Sequence, residues 1–407
     1  MYTDTSQLFS VNAATTERMG DQQPTAIELL HRYGAGSSFF LGSPERTLLG
    51  SGIRARLTRH PGEPTAAALQ RLFADVRQKD DTPAIAVGAL PFAPEADPVL
   101  FIPQQMATAG RLTRHAIART KATIRSSVTQ ERPTPAVYAQ QVQQALDLIR
   151  QSALKKVVLS RMLEVVGESD VDQAGVLRNL AARNAAGYTF AVDLPTVSGG
   201  VRRLIGASPE LLLRRKGTQV LANPIAGTEP RSIDPGEDLA RSRRLLHSAK
   251  DRHEHALVVA AVADTLRPYC RTLEVPPVPE LIATPRVWHL STRICGQLSH
   301  YAPSSFDLAI ALHPTPAVCG EPRDLARQAI EQLEDFDRGL FTGLVGWCDA
   351  NGDGEWAVTI RCAEIEANRA KLFAGAGIVA DSEPWREVAE TSAKFRTLLD
   401  ALQGDGV

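Results

Sequence analysis

The stretch KLFAGAGIVADSEPWREVAETSAK, residues 371–394, decides how the rest of the chain is read. It opens apolar at Leu372-Phe373-Ala374, reads as a turn at Gly375-Ala376-Gly377, and is apolar again at Ile378-Val379. Asp381-Ser382-Glu383-Pro384 breaks it. A helix is expected from Pro384, whose missing N–H is not needed at a helix start. On that helix Glu387, Glu390 and Lys394 fall at i, i+3 and i+7, which sets two carboxylates and one ammonium on one face. The glycines would let backbone N–H groups approach an anion with no side chain in the way. The plain alternative is a solvated helix face. Gly375-x-Gly377-x-x-Ala380 also fits the dinucleotide-binding pattern, but that pattern needs a helix to open at the glycines, and here Ile378-Val379 runs on as a strand.

Working outward, 407 residues suffice for one large α/β domain or two to three smaller ones. A 43% hydrophobic and 22% charged composition is that of a soluble globular protein, and a net charge of -1 points away from a nucleic-acid surface. No apolar run approaches a membrane span of ~20 residues, and the N-terminus carries no signal-peptide pattern. Cys270, Cys295, Cys319, Cys348 and Cys362 are scattered, with no CxxC pair, so neither a zinc site nor a disulfide framework is indicated. A cytoplasmic protein is expected.

Residues 1 to about 25 are polar and expected to be loose. Ser37–Gly42 and Arg46–Gly52 read as two strands, Ala66–Arg77 as a helix, and Ala84–Leu90 and Pro98–Pro103 as buried strands. Thr108–Pro135 is polar and basic and reads as an outer connection. An amphipathic helix at Tyr138–Leu154 leads into the strand Lys156–Leu163. Strands follow near 188–192, 203–206, 210–214 and 219–223, then one long helix from about Gly236 to Leu266. Gly343–Cys348 and Glu355–Arg361 form a hairpin around Asp349–Gly354. That loop resembles half an EF-hand, but Ile360 stands where the bidentate Glu is required.

Several residues could carry chemistry. Asp251 and Glu254, in KDRHEH at 250–255, repeat the acidic i, i+3 spacing, so two helices could share a divalent ion. Oxygen-only ligands favour Mg²⁺ over zinc. Lys156 opens an apolar strand, either snorkelling to water or withdrawn from it as a base with a lowered pKa. Glu210 precedes Leu211-Leu212-Leu213; a buried carboxyl there would have a raised pKa, which suits a general acid. Arg361 could pair with a substrate carboxylate. His289 is either a core histidine or a hydrogen-bonding group.

KVVLSR at 156–161, GASPELLLR at 206–214, NPIAGTEPR at 223–231, WHL at 288–290, HPTPAVCG at 313–320 and FTGLVGWCDANGDGEWAVTIRCAEI at 341–365 complete the set. With KDRHEH and GAGIVADSEPWREVAET at 375–391, these motifs resemble, in order, the chorismate-using enzymes: the anthranilate, aminodeoxychorismate, salicylate and isochorismate synthases. The likeness spans about residues 135–400, and SSFFLGSPERTLLGSG at 37–52 is similar to isochorismate synthases of catecholate siderophore pathways. It implies an α+β fold: a single large domain of two stacked antiparallel sheets with helices packed outside. Residues 1–134 would be the N-terminal part of that fold with its loose tail, and 135–400 the chorismate-binding catalytic core. The resemblance further implies Mg²⁺ held by Glu254 and Glu390 with Asp251 and Glu387 beside them. Gly227, Thr228, His289, Arg361, Gly375, Gly377 and Lys394 would line the chorismate pocket, with Lys156 as base and Glu210 as acid. Ala226 stands where lysine-nucleophile aminodeoxychorismate synthases carry Lys, and anthranilate synthases lack the water-activating lysine. Salicylate synthases share Lys156 and Glu210, but the WHL, HPTPA and GWCD stretches look more like the isochorismate-only branch. The resemblance thus implies an isochorismate synthase, expected to be monomeric and bound to neither nucleic acid nor membrane. A salicylate synthase, or an isochorismate synthase of menaquinone or salicylate biosynthesis, is the alternative.

Overall fold

Gly375 and Gly377 do not turn the chain. They sit inside one strand, Arg369–Ile378, which runs antiparallel to Lys156–Gly167 with Gly375 opposite Ser160 and Gly377 opposite Val158. The expected turn gives way to the ladder, because glycine is tolerated in a strand where another group must come close. The computed structural model describes residues 23–78, 83–113, 117, 124, 127–184, 187–196, 199–300 and 303–404. The expected loose tail lies almost entirely outside these residues.

Among the described residues there are two large antiparallel sheets and a small one. The first runs Gly320–Glu321, Lys156–Gly167, Arg369–Ile378, Cys362–Glu366, Arg202–Ser208, Tyr188–Leu194, Ser37–Gly42, Thr47–Ser51, Gln105–Ala109. The second runs Cys270–Glu274, Ile294–Leu298, Gln219–Asn223, Leu211–Lys216, Gly354–Val358, Leu344–Asp349, Ile85–Leu90, Val99–Ile102, Ala55–Arg56. Strands from both sides of residue 134 pair in each sheet: Ser37–Gly42 with Tyr188–Leu194, and Ile85–Leu90 with Leu344–Asp349.

Alternation along the strands shows how the layers stack. Phe39 and Leu41 face a core shared with Phe101, Phe190, Val345 and Trp347, residues of both sheets. Phe40, between them, points the other way, toward Leu29, Leu180 and Leu398 of three helices. Both faces of this strand are covered, so SSFFLG is buried at every position. The second sheet's outer face packs on helices Thr65–Arg77, Ala249–Leu266 and Ser305–Leu312 through Leu69, Val262 and Phe306. Each fully buried Phe or Leu contributes roughly 1.5–3 kcal/mol. The α+β architecture of stacked sheets with outer helices is the one expected.

Three local expectations are corrected. The helix from Gly236 to Leu266 is two helices, Pro235–His247 and Ala249–Leu266. Ser248 breaks it with extended geometry and accepts a hydrogen bond from Asp251 N, the N-cap role serine favours. Part of the polar connection, Ser127–Arg132, is a strand beside Lys156–Gly167, anchored where Glu131 pairs with buried Arg161. The hairpin strand ends at Val358, so Arg361 stands beyond it, with φ +52. The Asp349–Gly354 loop is a turn: Asp349 Oδ1 accepts from the N–H groups of Asn351 and Asp353. No helix among the described residues is long and apolar enough to cross a membrane.

Candidate active site

Lys156 is completely buried, and its Nζ lies 2.9 Å from Glu254 Oε1. Of the two readings of Lys156, withdrawal from water is the one observed. The strand glycines make the room. A Cβ on Gly377 would sit 2.2 Å from Glu254 Oε1 and 2.9 Å from Lys156 Cε; one on Gly375 would sit 2.8 Å from Ser160 Oγ. The glycines thus act by admitting neighbouring side chains.

Glu254 and Glu390 rise from the early turns of two helices, Ala249–Leu266 and Pro384–Gln403, and line one cavity. Glu210, Gly227, Thr228, His289, Arg361, Gly375, Gly377 and Lys394 line it too. Lys156, Asp251 and Glu387 stand behind the wall. Glu387 accepts from Lys250 Nζ at 2.8 Å. Gly227, at φ +76, leaves space for Asp251, whose Cβ would be 3.1 Å from an added side chain. Lys394 Nζ donates to Glu390 Oε1 and to Gly375 O, each at 2.6 Å.

The carboxylates feel one another. Burial raises Asp251, and the charges of Glu254 and Glu390 add to the rise. Burial, then Glu390, pushes Glu387 up to about 7. Each glutamate of the group is paired with a lysine. Among the described residues no three His, Cys, Asp or Glu side chains are gathered closely enough to hold a metal.

Glu210 follows Pro209 at the mouth of the Leu211–Lys216 strand. Burial pushes its carboxyl up to about 8, only partly offset by a backbone N–H at Ile225 and by Lys156 and Lys394. It therefore holds its proton at neutral pH.

Arg361 and His289 form a unit whose protons can be assigned. Arg361 Nη2 lies 3.1 Å from His289 Nε2, and a guanidinium only donates. Nε2 must therefore accept, and Nδ1 carries the hydrogen, facing Gly227 O at 3.1 Å and Thr228 Oγ1 at 3.1 Å. Burial, then Arg361's charge, holds His289 well below its usual pKa, so it is neutral. Among the described residues, Arg361 Nη1 is buried and has no acceptor. A guanidinium fixed by a neutral histidine, with a free N–H edge in a cavity, suits a carboxylate.

Sequence reasoning missed the apolar walls: Val158, Ile225, Ala317, Val318, Phe341 and Phe373. Val158 was findable, because it shares a strand face with Lys156 two residues away. Ala317 and Val318 lie in irregular chain with no periodicity to read. Lys250 was visible only as part of a charged face.

Residues 76–403 match the model of a family described as chorismate binding enzyme. Isochorismate synthase DhbC of Bacillus subtilis is 47% identical over 388 residues, covering 94% of this chain and 97% of that protein. The vibriobactin-specific isochorismate synthase of Vibrio cholerae is 43% identical over 369 residues, 90% of this chain and 91% of that one. The crystal structure of a Bacillus anthracis protein, DhbC, assigned as a 2,3-dihydroxybenzoate-specific isochorismate synthase, superposes with a TM-score of 0.87 at 47% identity, covering 93% of this chain and 99% of that one. The cavity with its acidic helices falls wholly inside the matched residues, and the chain belongs to the chorismate binding enzyme family.

Proposed function

We propose that the protein is an isochorismate synthase, converting chorismate to isochorismate for a 2,3-dihydroxybenzoate, catecholate-siderophore route. One observation carries this reading: Glu210, protonated up to about 8, lines a cavity behind whose wall lies the buried amine of Lys156. Acid and base on two sides of one ring are what the exchange of a hydroxyl requires.

Chorismate is a dianion. Arg361 and Lys394 receive its carboxylates, and His289 keeps Arg361 in place. Lys156 takes a proton from a water whose oxygen adds at C2. The two ring double bonds shift, and the C4 hydroxyl departs as water with the proton from Glu210. One water enters and one leaves, so the product is an isomer. Lys156 then releases the proton it took and Glu210 regains one, through solvent.

Mg²⁺ is the cofactor of this reading. Glu254 and Glu390 would hold it, with Asp251 and Glu387 beside them. The oxygen-only donor set suits a hard cation; burial raises Asp251 and Glu387 first, and the added repulsion from neighbouring carboxylates is the part that such a cation would relieve. When bound it supplies positive charge against the substrate's anionic groups. The enzyme is taken to act as a cytoplasmic monomer.

The test is incubation of the purified protein with chorismate and Mg²⁺, with products separated by chromatography. Isochorismate should form without pyruvate, and EDTA should stop the reaction. Pyruvate released in step with chorismate loss would make it a salicylate synthase instead. Unchanged chorismate would end the proposal.

A further inference from the structure

Beside the cavity wall lies a further charged pair, closed off from solvent. Arg338 and Glu334 are almost wholly buried and bond in a fork, Nη2 to Oε1 at 2.5 Å and Nε to Oε2 at 2.8 Å. Every remaining N–H of Arg338 is also used. Nη2 donates to Val158 O at 2.7 Å, and Nη1 donates to Val318 O at 2.8 Å and to Thr342 Oγ1 at 3.4 Å. Glu334 Oε1 accepts from Ser160 N at 2.7 Å. The guanidinium lies 4.6 Å from the Phe92 ring centroid.

The position of this pair explains its form. The short strand Gly320–Glu321 pairs with Val157 and Lys156, and Cys319 O accepts from Val158 N at 2.7 Å. There the ladder on that edge stops. Val158 C=O and Ser160 N–H point to the same edge and would be left buried without partners, which a fold disfavours. Arg338 donates to the first and Glu334 accepts from the second, as the next residue of a strand would. Val158, Val318 and Thr342, the three residues that Arg338 bonds besides Glu334, all line the cavity. They come from three distant segments, and Val158 shares its strand face with Lys156.

We propose that the Arg338–Glu334 pair is a positioning device: it replaces a missing strand residue at the edge beside Lys156 and holds the Lys156 side of the cavity in register with the walls at Val318 and Thr342. The anion-binding groups Arg361 and Lys394 stand on other segments and are not bonded to it. Disturbing the pair should therefore impair turnover more than substrate binding. Lysine cannot replace Arg338, since an ammonium has three donors and no planar fork.

The inference rests on the isochorismate synthase reading, and its test has a matched control. Arg203 is also buried, lies 5.1 Å from the Tyr33 ring centroid, pairs with Asp193 at 2.6 Å and donates to Gly34 O and Ser37 O, but bonds no cavity residue. Arg338→Lys and Arg203→Lys are compared for Tm, kcat and KM, with rates per folded molecule. Both should lose Tm. Arg338→Lys should lose roughly tenfold to a hundredfold in kcat with KM within about threefold, while Arg203→Lys keeps both constants within about twofold. Equal kinetic behaviour of the two variants, or a KM rise in Arg338→Lys that matches its kcat loss, overturns the inference. If Arg338→Lys does not fold, Glu334→Asp, which keeps the charge but shortens the reach, is read by the same criteria. A wild-type protein that leaves chorismate unchanged removes the functional reading and this inference with it; an active wild type with indistinguishable variants removes the inference alone.

Discussion

One pair of strands carries a buried glutamate at each end, and the two ends differ. Leu211–Lys216 and Gly354–Val358 run antiparallel, with Leu211 opposite Ala357 and Arg214 opposite Glu355. Glu210 stands at the first end, where its carbonyl accepts from Val358 N. Glu355 stands at the other. Burial raises both carboxyls. Glu355 is enclosed: Arg214 lies 3.8 Å away and Tyr188 Oη 3.5 Å away. Glu210 instead faces a cavity, and the cations that lower its pKa, Lys156 and Lys394, rank behind burial. A raised pKa alone does not mark a catalytic acid. What distinguishes Glu210 is the open volume its proton can reach.

The comparison breaks most directly at Glu210→Gln. The amide keeps the shape and loses the transferable proton, so kcat should fall by about 10²–10⁴-fold, the usual contribution of a general acid. Steady-state turnover of chorismate measures it. A variant within a few-fold of wild type would make the two ends equivalent.

The same substitution should alter stability in the opposite direction. The folded carboxyl titrates at about 8 and the ordinary one at 4.5, so Glu210's share of stability is fully present below 4.5 and lost as pH rises through 8. Above that pH the ionised group costs on the order of 5 kcal/mol relative to acid. Glu210→Gln has no such loss. Its Tm should exceed that of wild type by a margin that widens from pH 4.5 to 8, and parallel scans across that range would show it. Turnover in wild type should decline over the upper part of the same range, as the acid loses its proton.

Arg361→Lys tests the anion side of the cavity. Lysine keeps a charge but not the two-edged geometry that bonds His289 Nε2 and leaves Nη1 toward the cavity. Loss of one charge-assisted hydrogen bond, about 1.5–3 kcal/mol, corresponds to roughly 10–150-fold in kcat/KM. His289→Phe should reproduce part of that loss, since it removes the acceptor that aims Arg361.

How much of this was legible in the chain follows from the kind of signal each residue leaves. SSFFLG and KVVLSR announced themselves as strands because β-branched and aromatic runs need two covered faces. The two acidic helices were legible from i, i+3 spacing, and Glu210 from its place before Leu211-Leu212-Leu213. The break at Ser248 was hidden, because serine inside a charged helical run has the same composition whether it caps or continues. Gly375-x-Gly377 was misread as a turn, since nothing local tells a glycine that bends the chain from one that admits Lys156 and Glu254. Arg338 gave no signal at all: its partners Val158, Val318 and Thr342 meet only in the folded chain.

The smallest effect belongs to Glu355, the control end of the strand pair. Glu355→Gln leaves an amide able to bond Tyr188 Oη and removes a charge that burial disfavours. Against this, Arg214 loses one counter-ion but keeps Glu45, with which it pairs at 2.5 Å on a more exposed edge. The two terms oppose each other, and the surface-side pair is worth at most about 1 kcal/mol. The net change at neutral pH should be a gain of no more than about 1 kcal/mol, read as a Tm rise of a few degrees at most. Because Glu355's folded pKa is raised, the gain should vanish at acid pH, where the wild-type carboxyl is already neutral. Turnover should stay within about twofold, since Glu355 does not line the cavity. A large kcat loss in Glu355→Gln would show that the far end of the strand pair sets the position of Glu210, and the two ends would have to be treated as one catalytic element.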